Sequence, residues 1–275
     1  MNEDQISGIE HVIAEVKRPI VLFLESSPYA FVPDGYMRES LEALLPKPVR
    51  KIAAVTLDDS ASFIDYTNKH GLRDTCVIYS KSDYVKQSAT LTAVINDHGT
   101  LDESTAWRDH TATFSPIKTV EWTRWNGKSG SAMDQLSFAT WIEDNLQDIA
   151  SVEGMPSGTD MLKMALEFEA NHDKRFKQKI NTTNGGVRLE YIDDETTDTR
   201  KQMAVFDRFA IGVRVFLNGP AYQVQARLRY KQNSDKVSFW FELIRPDRVF
   251  ESALNDEIAK IKEETGFVIL MGAHK

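Results

Sequence analysis

Apolar spacing near the start of the chain predicts a helix followed by a hairpin. Residues 6–16 carry apolar side chains three and four positions apart, which is typical of an amphipathic helix. Residues 20–24 and 30–32 are short apolar runs, and the turn signal Pro33-Asp34-Gly35 follows the second run. We therefore expect a β-hairpin in this segment.

The next segment alternates strands with helices. Residues 51–57 predict a strand, and capping side chains then introduce a helix that ends at Gly71. Four further β-rich runs are separated by polar stretches, which favours an antiparallel meander over β-α-β units. They cover residues 76–79, 91–95, 111–114 and 120–125. A broad apolar stripe over residues 132–146 predicts a helix after them.

The second half of the chain begins with a short helix over residues 161–168 and then becomes β-rich. Residues 176–180 and 187–192 flank Asn184-Gly185-Gly186, whose residues tolerate the positive φ of a tight turn. Strict alternation over residues 222–231 is the clearest strand pattern in the chain. A strand, a helix and a last strand follow, at residues 237–243, 247–265 and 267–271. The expected fold is α+β, with mostly antiparallel sheets and flanking helices.

Composition indicates a globular protein, because 41% of the residues are hydrophobic and 27% are charged. A single cysteine, Cys76, excludes an internal disulfide, and no apolar run is long enough to cross a membrane. The first residues also lack the layout of a secretion signal. We therefore expect a cytoplasmic protein.

Charge is unevenly distributed along the chain. The first 150 residues contain 14 basic and 22 acidic side chains, whereas the remainder contains 19 of each, so the net charge of -8 belongs to the first part. The change coincides with a segment rich in Gly, Ser and Pro at residues 151–158. The prediction is an N-terminal α+β domain over residues 1–150, a linker over 151–158 and a C-terminal domain over 159–275.

No phosphate-binding glycine loop, zinc-helix motif or nucleophile elbow occurs in the sequence, so we expect no cofactor and no resident metal. The densest group of chemically active residues comprises Asp97, His98, Asp109 and His110. Carboxylates and imidazoles together could bind a divalent metal in a hydrolase or nuclease. One alternative is a structural corner, since adjacent residues of a strand point to opposite faces and Arg108 and Asp109 could hold a loop through charge-assisted hydrogen bonds. The other alternative is a binding surface.

Two further groups suggest binding. Trp107, Trp122 and Trp125 lie close together in the sequence, and Trp122 and Trp125 flank Arg124 on a predicted strand. Aromatic and arginine side chains together can stack on nucleobases, although a large sheet also buries its tryptophans. The second half could present a basic sheet face that follows a phosphate backbone or is simply solvated. The acidic segment Asp193-Asp194-Glu195 could neutralise the charge of this sheet face. The basic residues of the predicted face are Lys177, Lys179, Arg214, Arg227, Arg229 and Lys231.

The chain resembles the YfdQ-like family of phage and prophage proteins over nearly its whole length. The resemblance implies a gene carried by temperate phages and a protein that acts inside the infected bacterium, but it assigns no catalytic residue. The motifs that carry it are Phe31-Val32-Pro33-Asp34-Gly35-Tyr36, Leu41-Glu42, Asn96-Asp97-His98, Trp107-Arg108-Asp109-His110, Val120-Glu121-Trp122-Thr123-Arg124-Trp125, Phe138-Ala139, Ile142-Glu143-Asp144-Asn145, Ala226-Arg227-Leu228-Arg229-Tyr230 and Glu242-Leu243-Ile244-Arg245-Pro246.

The leading hypothesis is a non-enzymatic phage accessory protein that binds nucleic acid or a host protein. It would act in phage DNA metabolism, recombination or counter-defence. A metal-dependent hydrolase using the Asp/His group is the second hypothesis. A self-assembling scaffold is the third, since exposed strand edges and apolar helix faces can form interfaces between copies.

Overall fold

The computed structural model divides the chain into two compact units, Met1–Ala54 and Val55–Lys275. It describes the strands at residues 20–24, 27–32, 37–40, 177–180, 187–190 and 203–204, and the segments 41–100, 105–168, 206–233 and 236–274.

The first unit contains one antiparallel sheet of three strands. These are β1 (Ile20–Leu24), β2 (Ser27–Val32) and β3 (Met37–Ser40), with β2 in the centre. The first two strands form the predicted hairpin, in which Ile20 pairs with Phe31. The predicted helix over residues 6–16 and the turn Pro33-Asp34-Gly35 lie outside the described residues.

The second unit contains a five-stranded sheet. Its strands are β4 (Ala53–Leu57), β5 (Val77–Asp83), β6 (Ser88–Val94), β7 (His110–Phe114) and β15 (Val268–Met271), in the order β15-β5-β6-β7-β4. The boundary between the units falls within β4, after Ala54. The meander β5-β6-β7 is antiparallel, as predicted. The last strand, β15, pairs in parallel with β5, so the C-terminal segment completes a sheet that begins in the first half of the chain.

A four-stranded antiparallel sheet lies in the same unit. It consists of β8 (Met133–Asp134), β12 (Arg208–Arg214), β13 (Ala221–Asn233) and β14 (Lys236–Leu243), in the order β12-β13-β14-β8. The long strand β13 corresponds to the strictly alternating segment of the sequence. A small separate sheet contains β9 (Lys177–Ile180), β10 (Val187–Glu190) and β11 (Met203–Ala204).

Five α-helices are found in the described residues. They are α1 (Ser60–His70), α2 (Val120–Lys128), α3 (Gln135–Asp144), α4 (Gly158–Glu167) and α5 (Pro246–Thr265). None is long and apolar enough to span a membrane. Helices and mostly antiparallel sheets in two main sheet regions confirm the α+β fold class.

Capping side chains determine where two helices begin. The Asp59 side chain accepts a hydrogen bond from the Ser62 backbone N–H at 2.8 Å and starts α1. The Thr119 hydroxyl accepts one from the Trp122 backbone N–H at 3.2 Å and starts α2. The prediction of a strand over residues 120–125 is therefore wrong. Its β-rich composition concealed two tryptophans spaced three residues apart, which a helix turns toward the same buried side.

Helix α5 joins the two large sheets of the second unit. Phe250 and Leu254, in its N-terminal half, pack into the core beneath the four-stranded sheet. Ile261, in its C-terminal half, packs into the core beneath the five-stranded sheet, and Ile258 contacts both cores. One amphipathic helix therefore couples two otherwise separate apolar clusters.

The predicted linker at residues 151–158 lies inside the second unit. Residues before and after it share one core, since the rings of Phe138 and Phe239 stack with centroids 5.1 Å apart. The backbone N–H of Ala150 also donates to the Ala210 carbonyl at 2.9 Å. The boundary between the two compact units lies at Ala54. It is about a hundred residues before the domain boundary that charge distribution and turn residues predicted.

Candidate nucleic-acid interface

The four-stranded sheet has one buried face and one face that is largely open to solvent, although Ala210 on the second face is fully buried. Three of its inward residues, Phe209 on β12, Val224 on β13 and Phe239 on β14, are at most 1% exposed. Successive strand residues point to opposite faces, so the residues between them form the other side. We call that side the outer face. It contains Asp134, Arg208, Arg214, Gln223, Gln225, Arg227, Arg229, Lys231, Ser238, Trp240 and Glu242.

Two arginines stand directly opposite each other on the outer face. Arg208 of β12 pairs in register with Arg227 of β13. The Leu228 backbone N–H donates to the Asp207 carbonyl at 2.9 Å, so the neighbouring Arg208 and Arg227 form a non-hydrogen-bonded pair, in which side chains lie closest. Both arginines are exposed, and neither forms an ion pair with a residue that the structure describes.

A tryptophan and a carboxylate lie beside these arginines. Trp240 of β14 pairs in register with Arg229 of β13, and it is half-buried. Its indole N–H donates to Glu242 Oε1 at 3.3 Å, while Glu242 Oε2 lies 3.8 Å from Arg229 Nε. Glu242 therefore contacts both the aromatic ring and one basic side chain of the outer face.

The outer face carries the opposite charge to the whole chain. Among its described side chains, five are basic and two, Glu242 and Asp134, are acidic. Asp134 lies at the margin, on β8, where it caps α3 through the Ser137 backbone N–H at 2.8 Å. The net charge of -8 therefore does not describe this surface.

Four of the six predicted basic residues lie on the outer face. Arg227, Arg229 and Lys231 follow each other at every second position of β13. Arg214 occupies the same face of β12, six residues from Arg208, which corresponds to about 20 Å along a strand. Lys177 and Lys179 belong to β9, in the separate small sheet, and their side chains lie outside the described structure.

Sequence reasoning missed Arg208 and Trp240. The signal for Arg208 was the alternation of Arg208, Ala210, Gly212 and Arg214 with the apolar residues between them. Trp240 alternates in the same way with Phe239 and Phe241. The patterns give the face of each residue within its own strand, but only the register between strands shows which residues are neighbours.

The Asp97 carboxylate forms a buried polar network rather than an open site. Asp97 is 6% exposed, and its Oδ1 lies 2.7 Å from Arg108 Nε. The Tyr79 hydroxyl donates to Asp97 Oδ2 at 3.0 Å and accepts a hydrogen bond from Arg108 Nη2 at 3.2 Å. Burial, and then the bond to Asp97, raise the pKa of Tyr79, because both favour the neutral hydroxyl.

The other three members of the Asp/His group have different partners. Asp109 Oδ1 accepts a hydrogen bond from the Asn96 amide at 2.9 Å, and His110 Nε2 lies 2.9 Å from the Tyr66 hydroxyl. His98 Nδ1 accepts one from the Ala106 backbone N–H at 3.0 Å. No group of three or more His, Cys, Asp or Glu side chains suited to a metal occurs in the part of the chain that the structure describes. The geometry favours the structural corner over the metal site.

The chain matches the family described as an uncharacterized conserved protein (DUF2303) over residues 2–274. It belongs to that family. No curated protein and no solved structure matches the chain. Family membership therefore supplies no activity for this DUF2303 member, and any function must be argued from its own residues.

The tryptophans of this DUF2303 member divide into buried and exposed ones. Trp122 and Trp125 are fully buried, and their indole N–H groups donate to Gln87 Oε1 at 3.1 Å and to Asp148 Oδ2 at 2.8 Å. They belong to the core, as the alternative prediction held, so they offer no ring face to a base. Trp107 is 70% exposed and precedes Arg108, which has a positive φ of 57°.

A shallow open groove of about 380 Å³ lies beside α3. Its lining includes Met133, Leu136 and Trp141, and the ammonium of Lys128 lies 5.7 Å from the Trp141 ring centroid. Neither the Asp/His group nor the basic residues of the outer face line it. The groove is therefore separate from both candidate sites.

The buried thiol of Cys76 is expected to make the stability of the fold depend on pH in the alkaline range. Cys76 is 1% exposed, and burial, with a smaller contribution from Asp97, raises its pKa from about 9 to about 12. Between these values the thiol is protonated in the folded chain and ionised in the unfolded chain. The free energy of unfolding should therefore fall as pH rises, by up to about 1.4 kcal/mol per pH unit for this group.

Urea denaturation of the wild type and Cys76→Ala at several pH values above about 9 measures this slope. The variant should lose stability more slowly with rising pH than the wild type. The raised pKa of Tyr79 also contributes to both slopes, so it cancels in the comparison. Equal slopes would contradict the assignment to Cys76.

Proposed function

We propose that this protein binds nucleic acid through the outer face of β12, β13 and β14 and catalyses no reaction on it. The observation that carries this proposal is the pair Arg208 and Arg227, two exposed arginines held side by side. Like charges directly opposite each other on neighbouring strands destabilise a sheet. Glu242, which lies opposite Arg227 on β14, offsets part of this repulsion. A bound phosphate would offset the rest, since arginine binds phosphate oxygens through its planar fork of donors.

The spacing of the remaining basic residues supports an extended anionic ligand. Arg227, Arg229 and Lys231 recur along β13 at intervals of about 6.8 Å, the rise of two antiparallel residues. A row of this kind can follow successive phosphates, whereas a single small anion would need only one end of it. Nucleic acid is the polymer whose backbone presents such a series of charges.

The resemblance to the YfdQ-like family supplies the proposed setting. On that resemblance we propose a phage accessory protein in the cytoplasm of the infected bacterium, where the outer face would serve phage DNA metabolism or recombination. Binding of a host protein for counter-defence is the competing proposal, and an acidic protein surface would be its ligand. The Asp/His group has no role in either proposal.

Fluorescence anisotropy with labelled oligonucleotides tests the proposal. The wild type should bind, and the logarithm of its association constant should fall linearly with the logarithm of salt concentration. Four to five phosphate contacts correspond to a slope of about -3 for a single strand and about -4 for a duplex. Arg227→Glu with Arg229→Glu should weaken binding about 30-fold, because two attractive charges become repulsive, and should reduce the slope.

Lys69→Glu with Lys81→Glu is the matched control. Both lysines are exposed, and they lie on α1 and β5, away from the outer face, so the net charge changes equally. The control should bind like the wild type. Equal losses in both double variants would indicate a general charge effect, and absence of binding by the wild type would refute the proposal. Retention of an acidic host protein after nuclease treatment would favour the competing proposal.

A further inference from the structure

We propose that the outer face selects single-stranded nucleic acid and stacks one base on Trp240. This inference rests on the proposed function and adds the class of ligand. Base stacking on an aromatic ring is independent of sequence, because every base has a flat π-face. The proposed ligand is therefore a single strand without a required sequence, either DNA or RNA.

Trp240 is the aromatic residue that the described strands place on the outer face. Tyr230 of β13 lies on the opposite side, where its ring centroid is 6.3 Å from that of Phe239. Trp122 and Trp125 are fully buried beneath the sheet. A base that approaches the arginines of β13 would therefore meet the indole of Trp240.

The indole is held in place by its neighbours. Its N–H donates to Glu242 Oε1 at 3.3 Å, and the other oxygen of Glu242 lies 3.8 Å from Arg229 Nε. A ring fixed in this way loses little side-chain entropy when a ligand stacks on it. Glu242 thus orients Trp240 and holds Arg229 near it. The proposed phosphate-binding pair lies next to them, since Arg227 is two residues before Arg229 on β13 and Arg208 is opposite Arg227 on β12.

The position of the ring disfavours a duplex. Side chains that enter a duplex between base pairs project as wedges, and they must unstack those pairs. Trp240 is half-buried in the middle of a sheet, with β13 on one side and the segment containing β8 on the other. A ring that its sheet neighbours cover in part suits contact with an unpaired base better than insertion between paired bases.

The test compares three ligands of about 12 nucleotides, a length within the range that single-strand binding sites cover. The ligands are oligothymidylate, an abasic strand with the same number of phosphates, and a duplex. The proteins are the wild type, Trp240→Leu and Trp240→Phe, and circular dichroism checks that each is folded. The abasic strand keeps the phosphates and removes the bases, so it separates stacking from charge.

The wild type should bind oligothymidylate about 10-fold more tightly than the abasic strand, which corresponds to one stacked base. Trp240→Leu should lose this preference and bind both strands equally, whereas Trp240→Phe should keep part of it. The duplex should bind more weakly than oligothymidylate to the wild type.

The results that would contradict base stacking can be told apart from the result that would refute nucleic-acid binding. Equal wild-type binding of oligothymidylate and the abasic strand, or a Trp240→Leu variant that keeps the preference, would overturn base stacking while leaving phosphate binding intact. Tighter binding of the duplex would overturn the selection of single strands. Absence of binding to all three ligands would refute the proposed function itself.

Discussion

Trp125→Ala is expected to lower the free energy of unfolding by about 5 kcal/mol, the largest effect that we predict for a single substitution. The ring is fully buried, and its centroid lies 5.0 Å from that of Phe241 and 5.8 Å from that of Trp141. Its removal leaves a cavity at the centre of the core beneath the four-stranded sheet. It also removes the indole N–H that donates to the buried Asp148 carboxylate at 2.8 Å.

Urea denaturation followed by circular dichroism measures this change. Trp125→Phe separates the two contributions, because it keeps a ring but leaves Asp148 without its donor, and it should destabilise by about 2 kcal/mol. Leu136→Ala is the exposed control, since Leu136 is 73% exposed, and it should change stability by less than about 0.5 kcal/mol. A Trp125→Ala effect as small as that of Leu136→Ala would contradict the central position of the ring.

Arg108→Ala is expected to destabilise the protein by about 3 kcal/mol, because it leaves the buried Asp97 carboxylate without its counter-charge. The side chains of Asp97 and Arg108 are 8% and 29% exposed, so solvent screens their attraction only in part. The Tyr79 hydroxyl and the His98 backbone N–H remain as hydrogen-bond donors to the carboxylate, at 3.0 and 2.9 Å. The variant tests whether the Asp/His region is held together by this ion pair.

Arg108→Gly provides a matched control for backbone strain. Arg108 has a φ of 57°, a left-handed conformation that glycine adopts without penalty and alanine does not. The glycine variant should therefore be about 1 kcal/mol more stable than the alanine variant, although both lack the guanidinium. Asp97→Asn completes a double-mutant cycle with Arg108→Ala. A coupling energy near zero would show that the ion pair does not stabilise the fold.

The predicted hairpin, meander and terminal helix are present because each depends on local patterns. Asp59 caps α1 and Gly266 ends α5 with a positive φ of 66°, and both features follow from single residues and their neighbours. The segment 120–125 was predicted wrongly because its residues have strand propensity, whereas Thr119 provides a cap and the core takes up both tryptophans as a helix.

The candidate site was predicted in part for the same reason. Alternation along β13 indicated that Arg227, Arg229 and Lys231 share one face, because strand periodicity is local. Arg208 and Trp240 were missed because their importance depends on the residues opposite them. A register shift of one position would have moved Arg208 away from Arg227 and exchanged the faces of the strand.

By itself the sequence determined the α+β class, most of the strands and helices, and the alternation that separates a polar from an apolar side of β13. These are consequences of local periodicity, capping and turn residues. Only the tertiary structure decided that β15 completes the five-stranded sheet, that Asp97 pairs with Arg108, and that Arg208 lies against Arg227 beside Trp240. Such contacts join distant parts of the chain. They are set by strand register and core packing, which the order of residues within one segment does not reveal.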